Sequence, residues 1–201
     1  MPRAKVKRQA TAVDMTAMCD VAFLLLNFFV MTSVTKVPDP VDIKIPSSTY
    51  EIKLPEKDLT ILTIGGKGQV YFETLGPDIM SATLEKMSAQ YNIPFTPQEI
   101  KRFSLIGSFG VPIQNLKTYI ALDGAKRKSS GLGTGIPADS TNNQLADWLL
   151  NSRKAVAELH STAVRVSIKG DERQDYTSIK KVIDILQKQK INKFSLVTVS
   201  R

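Results

Sequence analysis

Residues 14–33, DMTAMCDVAFLLLNFFVMTS, form an apolar run that carries one acid in its interior, Asp20. No other feature constrains the chain as tightly. A helix from Met15 to Val34 spans about 30 Å, the thickness of a bilayer's hydrocarbon core. A carboxylate there costs about 2.5–3.5 kcal/mol on insertion scales. Ahead of the run, MPRAKVKRQ carries Arg3, Lys5, Lys7 and Arg8, with no acid before Asp14. Basic flanks stay in the cytoplasm, which predicts an N-terminus inside and everything beyond about Lys36 outside.

A cleaved signal peptide has the same basic start and short apolar core. Here Asp20 and Asn27 interrupt that core, and the following MTSVTKVPDP offers no A-x-A-like cleavage site. We therefore read residues 1–13 as a basic cytoplasmic tail and 14–35 as a transmembrane helix.

At about 100° per residue, Thr16, Asp20 and Asn27 fall within a narrow arc, and Thr35 lies near its edge. Val21, Ala22, Leu25, Leu26, Phe29 and Val30 cover the other surfaces. A polar stripe on a lone span needs a protein partner or a wet cavity. Hydrogen-bonded glue between helices is one reading, although Asn, Ser or Thr suffices for glue. Proton carriage is the other. Low dielectric disfavours the ionised form of a carboxylate, and a proton crossing about 100 mV releases roughly 2.3 kcal/mol. The proton-carrying reading takes Asp20 as the carrier and Thr16 and Asn27 as a channel-facing polar stripe. One helix encloses no pathway, so that reading requires a multi-span partner.

The segment Asp14-Met15-Thr16-Ala17-Met18-Cys19-Asp20-Val21, followed by an apolar run to Met31, resembles the ExbD/TolR family of biopolymer-transport proteins. Their span opens with an Asn-x-Thr-Pro-x-x-Asp-Val pattern. The resemblance implies that Asp20 stands for the family's membrane aspartate and Thr16 for its threonine. Asp14 departs from the usual Asn, and Ala17 replaces the proline, which puts a helix-entry kink in question.

Beyond the span, residues 36–58 read as an extended linker broken by Pro38, Pro40, Pro46 and Pro55. Within it Val41, Asp42, Ile43, Lys44 and Ile45 alternate, and so suit a sheet edge or partner contact as well as a plain spacer. Residues 59–73, LTILTIGGKGQVYFE, predict a hairpin turning on Gly65-Gly66-Lys67-Gly68. No Gly-Lys-Ser/Thr follows, so this is not a phosphate loop. Val164, Val166 and Ile168 alternate as a strand. Ile179, Val182, Ile183 and Leu186 then keep helical spacing, and FSLVTVS closes as a strand. A helix over about 142–159 places Leu145, Trp148, Leu149 and Val156 on one side.

The strand–helix–strand end also resembles the family, with Asp171 and Tyr176 at matching places. The expected fold class is α+β: a single N-terminal transmembrane helix, then a small two-layer α/β domain ordered hairpin–helix–strand–helix–strand. Residues 59–201 would form this periplasmic domain. Residues 74–140 exceed the short family pattern and read as an inserted helical and loop region. In it SATLEKMSAQY predicts a helix, and Thr96-Pro97-Gln98-Glu99 a capping box opening a second. LKTYIALD (116–123) predicts an extra strand, and AKRKSSGLGTG (125–135) a mobile basic loop. The insertion suits either a cover for the sheet or a docking site for a partner.

Several function classes are excluded. The net charge of +8 is scattered along the chain without zinc-ligand spacing or an RNA-binding aromatic signature, so no nucleic-acid partner is expected. Cys19 is the sole cysteine, which rules out an internal disulfide or a multi-cysteine metal site. No HExxH, Walker motif or nucleophile elbow is present. His160, the only histidine, reads as a solvent-exposed residue at a helix end without triad neighbours. No catalytic residue, metal or cofactor is expected, with protons as the coupling ion.

The resemblance then implies an ExbD-like subunit of a proton-channel motor in a bacterial inner membrane, not an enzyme. It would be single-pass, with the N-terminus cytoplasmic and the C-terminal domain periplasmic. Its expected partners are a pentameric ExbB-like multi-span channel subunit, a second copy of itself, a TonB-like protein and the lipid bilayer. The alternatives are a TolR-type role in envelope maintenance and a tethered binding domain with no proton role. A flagellar-stator-type subunit would need a peptidoglycan-binding domain, which this C-terminal region does not resemble.

Overall fold

The computed structural model describes residues 15–33, 47–48, 57–139, 142–171, 176–197 and 199–200. The chain divides into two compact units, Met1–Lys36 and Val37–Arg201. In the first, α1 (Met15–Thr32) is a continuous α-helix with no buried residue. Its ends match the apolar run, because Leu and Met favour helix and no Pro or Gly interrupts it.

The second unit is built on a four-stranded sheet ordered β3-β2-β4-β5. β2 (Leu59–Ile64) and β3 (Val70–Thr74) form the expected antiparallel hairpin, with Leu62 opposite Phe72. Their turn closes through Gly65 N–H to Gln69 O at 2.9 Å and Gly68 N–H to Gly65 O at 2.8 Å. Gly68 sits at φ 78, where a side chain would be strained. β4 (Arg165–Gly170) runs parallel to β2 and β5 (Phe194–Leu196) parallel to β4. Because strand side chains alternate, Leu62, Ile64, Val70, Phe72, Val166 and Ile168 share one face, and all are buried in one core.

Helices close that core. α6 (Gln144–His160) supplies Leu145, Trp148 and Leu149, and α7 (Tyr176–Lys188) supplies Val182, Ile185 and Leu186. Residues 74–140 add α2 (Pro77–Tyr91), α3 (Pro97–Ser104), α4 (Ile113–Ala121) and α5 (Gly124–Ser129). The capping box forms as read: Glu99 N–H donates to Thr96 Oγ1 at 3.3 Å and Thr96 N–H to Glu99 Oε2 at 2.7 Å.

Residues 74–140 cover the sheet. Met80, Leu84, Met87, Phe103, Phe109, Leu116 and Ile120 all enter the same core. Phe109 stands 4.9 Å from Trp148, 5.0 Å from Phe103 and 5.8 Å from Phe72, ring centre to ring centre. Its backbone also pairs with Phe72, the two N–H···O bonds being 2.8 and 3.0 Å, and Ile136 N–H bonds Val70 O at 2.8 Å. Both contacts protect the β3 edge from stray strand pairing.

Three sequence expectations are corrected. Residues 116–123 are not a strand: α4 covers most of them. Ile113, Leu116 and Ile120 keep helical spacing, which a window opening at Leu116 misses. Gln144 Oε1 accepts the Ile113 N–H at 2.9 Å, satisfying a donor at the start of α4 from another helix. Residues 125–135 are not wholly a loop, since α5 occupies their start. Arg127 is held there by the Tyr119 and Ile120 carbonyls at 3.2 and 3.4 Å, the orphan acceptors at the end of α4. The closing FSLVTVS is two pieces. β6 (Val199–Ser200) leaves the main sheet and pairs in parallel with β1 (Ser47–Ser48), inside the linker. The alternating segment Val41–Ile45 lies outside the described residues.

Candidate functional site

The helix α1 carries the polar stripe. Thr16, Asp20 and Asn27 all lie within Met15–Thr32, and helical phasing sets them within about 40° of one another. Every residue of α1 is exposed within the chain, including Phe23, Leu24, Leu26, Phe28 and Phe29. A face that apolar belongs in lipid or against another protein. The helix is long and apolar enough to cross a membrane, with a mean hydropathy of 1.8 over 18 residues. Near its end, the Thr32 hydroxyl bonds back to Phe28 O at 2.7 Å, satisfying itself where no other partner is needed. Ala17 is continuous with the helix on both sides. Asp14 and Thr35 lie outside the described residues.

Of the C-terminal positions matched by resemblance, Asp171 follows β4, and Tyr176 opens α7 with its side chain exposed. The residues between them, 172–175, lie outside the described set.

His160 corrects the sequence reading, which gave it no neighbours. It ends α6, and folding brings two acids to it from 102 and 82 residues away. Its Nδ1 meets the Asp58 carboxylate, and its Nε2 meets Asp78 Oδ2 at 3.1 Å. Thr162 Oγ1 donates to the other oxygen of Asp58 at 3.1 Å. The Asp58 hydrogen bond holds His160 above the ordinary histidine value, and the same bond holds Asp58 below the ordinary aspartate value. Both ring nitrogens face carboxylates, so the imidazole presents no free nitrogen to activate a nucleophile. This is a charged clasp joining the start of β2, the start of α2 and the end of α6. No local motif announces it, because its three members are distant in the chain.

Comparison with known proteins decides which family the chain belongs to. A family model described as "Biopolymer transport protein ExbD/TolR" matches residues 6–200. The chain belongs to the ExbD/TolR family. The matched range takes in α1, the hairpin, residues 74–140 and β4 to β6. No curated protein and no solved structure matches it. Members of the family are proton-motive-force subunits of biopolymer transport, components of a transport system rather than enzymes. They have membrane-complex partners of the ExbB/TolQ kind. One apolar N-terminal helix is consistent with a single-pass membrane protein.

Proposed function

We propose that this chain is the ExbD-type subunit of an inner-membrane proton motor, in which Asp20 carries the proton. The observation that carries the reading is a lone carboxylate in a largely apolar 18-residue helix of an ExbD/TolR chain. An ionised carboxylate is costly in hydrocarbon and a protonated one much less so, so its charge state decides which environment the helix tolerates. Alternate loading from one side of the membrane and release to the other would move the helix within a pentameric ExbB-like partner. Thr16 and Asn27, on the same arc, would offer hydroxyl and amide partners to the carboxylate's surroundings. A second copy of the chain would place a second aspartate beside the first. The folded domain, on the periplasmic side, would hand the work to a TonB-like protein.

Asp20→Asn tests this, being nearly isosteric and unable to ionise. At normal membrane levels and with normal co-purification of the channel partner, the variant is expected to abolish proton-motive-force-dependent uptake. Asp20→Glu should retain part of it. Normal uptake by the Asn variant would leave α1 as a tether only. Co-purification with a TolA-like instead of a TonB-like protein would assign the chain to the TolR-type system, with the same motor and a different output.

A further inference from the structure

Part of the positive charge that looks scattered along the chain converges in the fold. A groove of about 1170 Å³ opens between α6 and the turn joining α7 to β5. Lys57, Arg153, Lys154, Arg165, Lys190 and Lys193 line it, although they span nearly the whole domain in sequence. Among the described residues Asp58 is the one carboxylate in the lining, and it is engaged by His160 and Thr162. Arg153 is anchored by donating to the Gln189 carbonyl at 3.0 Å. Among the described residues, no carboxylate lies within salt-bridge distance of Arg153, Lys154, Arg165, Lys190 or Lys193. Six like charges in one concavity repel one another, and a cleft concentrates their field on whatever enters.

We propose that this groove docks the folded domain onto anionic phospholipid headgroups of the membrane that α1 enters. This rests on the reading of α1 as a span. Three observations favour lipid. Ser47, paired with β6 of the folded domain, follows Ser33 by residues 34–46, a length that reaches at most roughly 50 Å. A groove so tethered meets the bilayer surface at high effective concentration. Leu150, 39% exposed, lies among the cations together with Ala157 and Ala163, an apolar patch suited to the headgroup boundary. Among the described residues no aromatic side chain lines the groove, so those residues offer no stacking platform of the kind a single-stranded nucleic-acid site uses.

The test uses the full chain in proteoliposomes. A Cys19→Ser background frees the chain of its only cysteine, and Asn192→Cys places a donor dye at the groove's lip. Energy transfer to a headgroup-labelled lipid is read in phosphatidylcholine vesicles, with and without phosphatidylglycerol. Transfer is expected to rise with phosphatidylglycerol and to collapse in 0.5 M salt. Lys154→Glu/Lys190→Glu/Lys193→Glu should return it to the phosphatidylcholine level, lowering the docked-to-free ratio by about a hundredfold or more. Unchanged Trp148 emission in that variant shows that the domain still folds.

Equal transfer on both lipids, or a variant that keeps the rise, overturns the proposal. Loss of the rise on adding inorganic phosphate at constant ionic strength overturns it in favour of a free-phosphate site. Saturable binding of an oligoglutamate peptide by the solubilised chain, with transfer indifferent to phosphatidylglycerol, overturns it in favour of an acidic protein partner. Alkaline carbonate extraction of the same vesicles reads the span separately. A chain that washes out loses its tether and overturns both readings. One that stays in, yet ignores phosphatidylglycerol, overturns the groove alone.

Discussion

Replacing Phe109 by alanine tests whether the inserted region is part of the domain's core or an appendage to it. Phe109 is fully buried and touches the rings of Phe72, Phe103 and Trp148. Its truncation removes a whole aromatic side chain from a packed site, and Phe-to-Ala changes of that kind cost about 3–5 kcal/mol. The backbone bonds to Phe72 can persist, so the loss is one of packing. For a domain of this size each kcal/mol lowers the melting temperature by about 2–4 °C, which predicts a fall of roughly 6–20 °C. Trp148 is the chain's only tryptophan and lies 4.9 Å from Phe109, so its emission reports unfolding and the local loss of packing. Leu105→Ala, in the same insertion but 68% exposed, should stay within about 0.5 kcal/mol. A Phe109→Ala loss below about 1 kcal/mol, with unchanged Trp148 emission, would refute the insertion as the lid of the core.

The remaining predictions concern the clasp and one close contact. The clasp of Asp58, His160 and Asp78 should make stability depend on pH through a single histidine. Because His160 is raised in the folded state, its contribution is full below the ordinary value of 6.5 and is lost as pH rises through the raised one. Asp58 is lowered, so its contribution is present above its ordinary value of 3.8 and is lost as pH falls through the lowered one. Urea midpoints should therefore include a clasp contribution that is largest between those ordinary values, and His160→Gln should remove its loss at higher pH. Proton NMR of the lone imidazole should titrate above 6.5, and Asp58→Asn should bring it back down; titration at or below 6.5 in the unmodified chain would contradict the clasp. Gly110→Ala places a methyl 2.3 Å from the Tyr71 ring carbon Cδ1 and should cost about 1–3 kcal/mol in a denaturant melt. Gly66→Ala, where nothing lies within 4 Å, should be nearly neutral by the same melt.

Much of this protein was legible in its residues. The N-terminal helix followed from a run of apolar side chains of bilayer length, and the stripe of Thr16, Asp20 and Asn27 from helical phase alone. Strong local signals also located the hairpin at Gly65–Gly68, the capping box at Thr96 and the amphipathic helix through Val182 and Leu186. Such features depend on neighbours within a few residues, and so a sequence displays them directly. Where reading failed, the deciding contacts were distant. The segment 116–123 contains residues that suit a strand, but burial of Ile113, Leu116 and Ile120 against the core selects a helix, and Gln144 completes its first turn. His160 looked solitary because Asp58 and Asp78 reach it only after β2, α2 and α6 converge. Six basic residues looked like ordinary surface charge because only packing gathers them into one groove. The sequence by itself determined the membrane-suited helix with its acid and the class of the domain, since both rest on local periodicity. The tertiary structure alone decided that the insertion completes the core and which charges meet, since those depend on contacts between residues tens of positions apart or more.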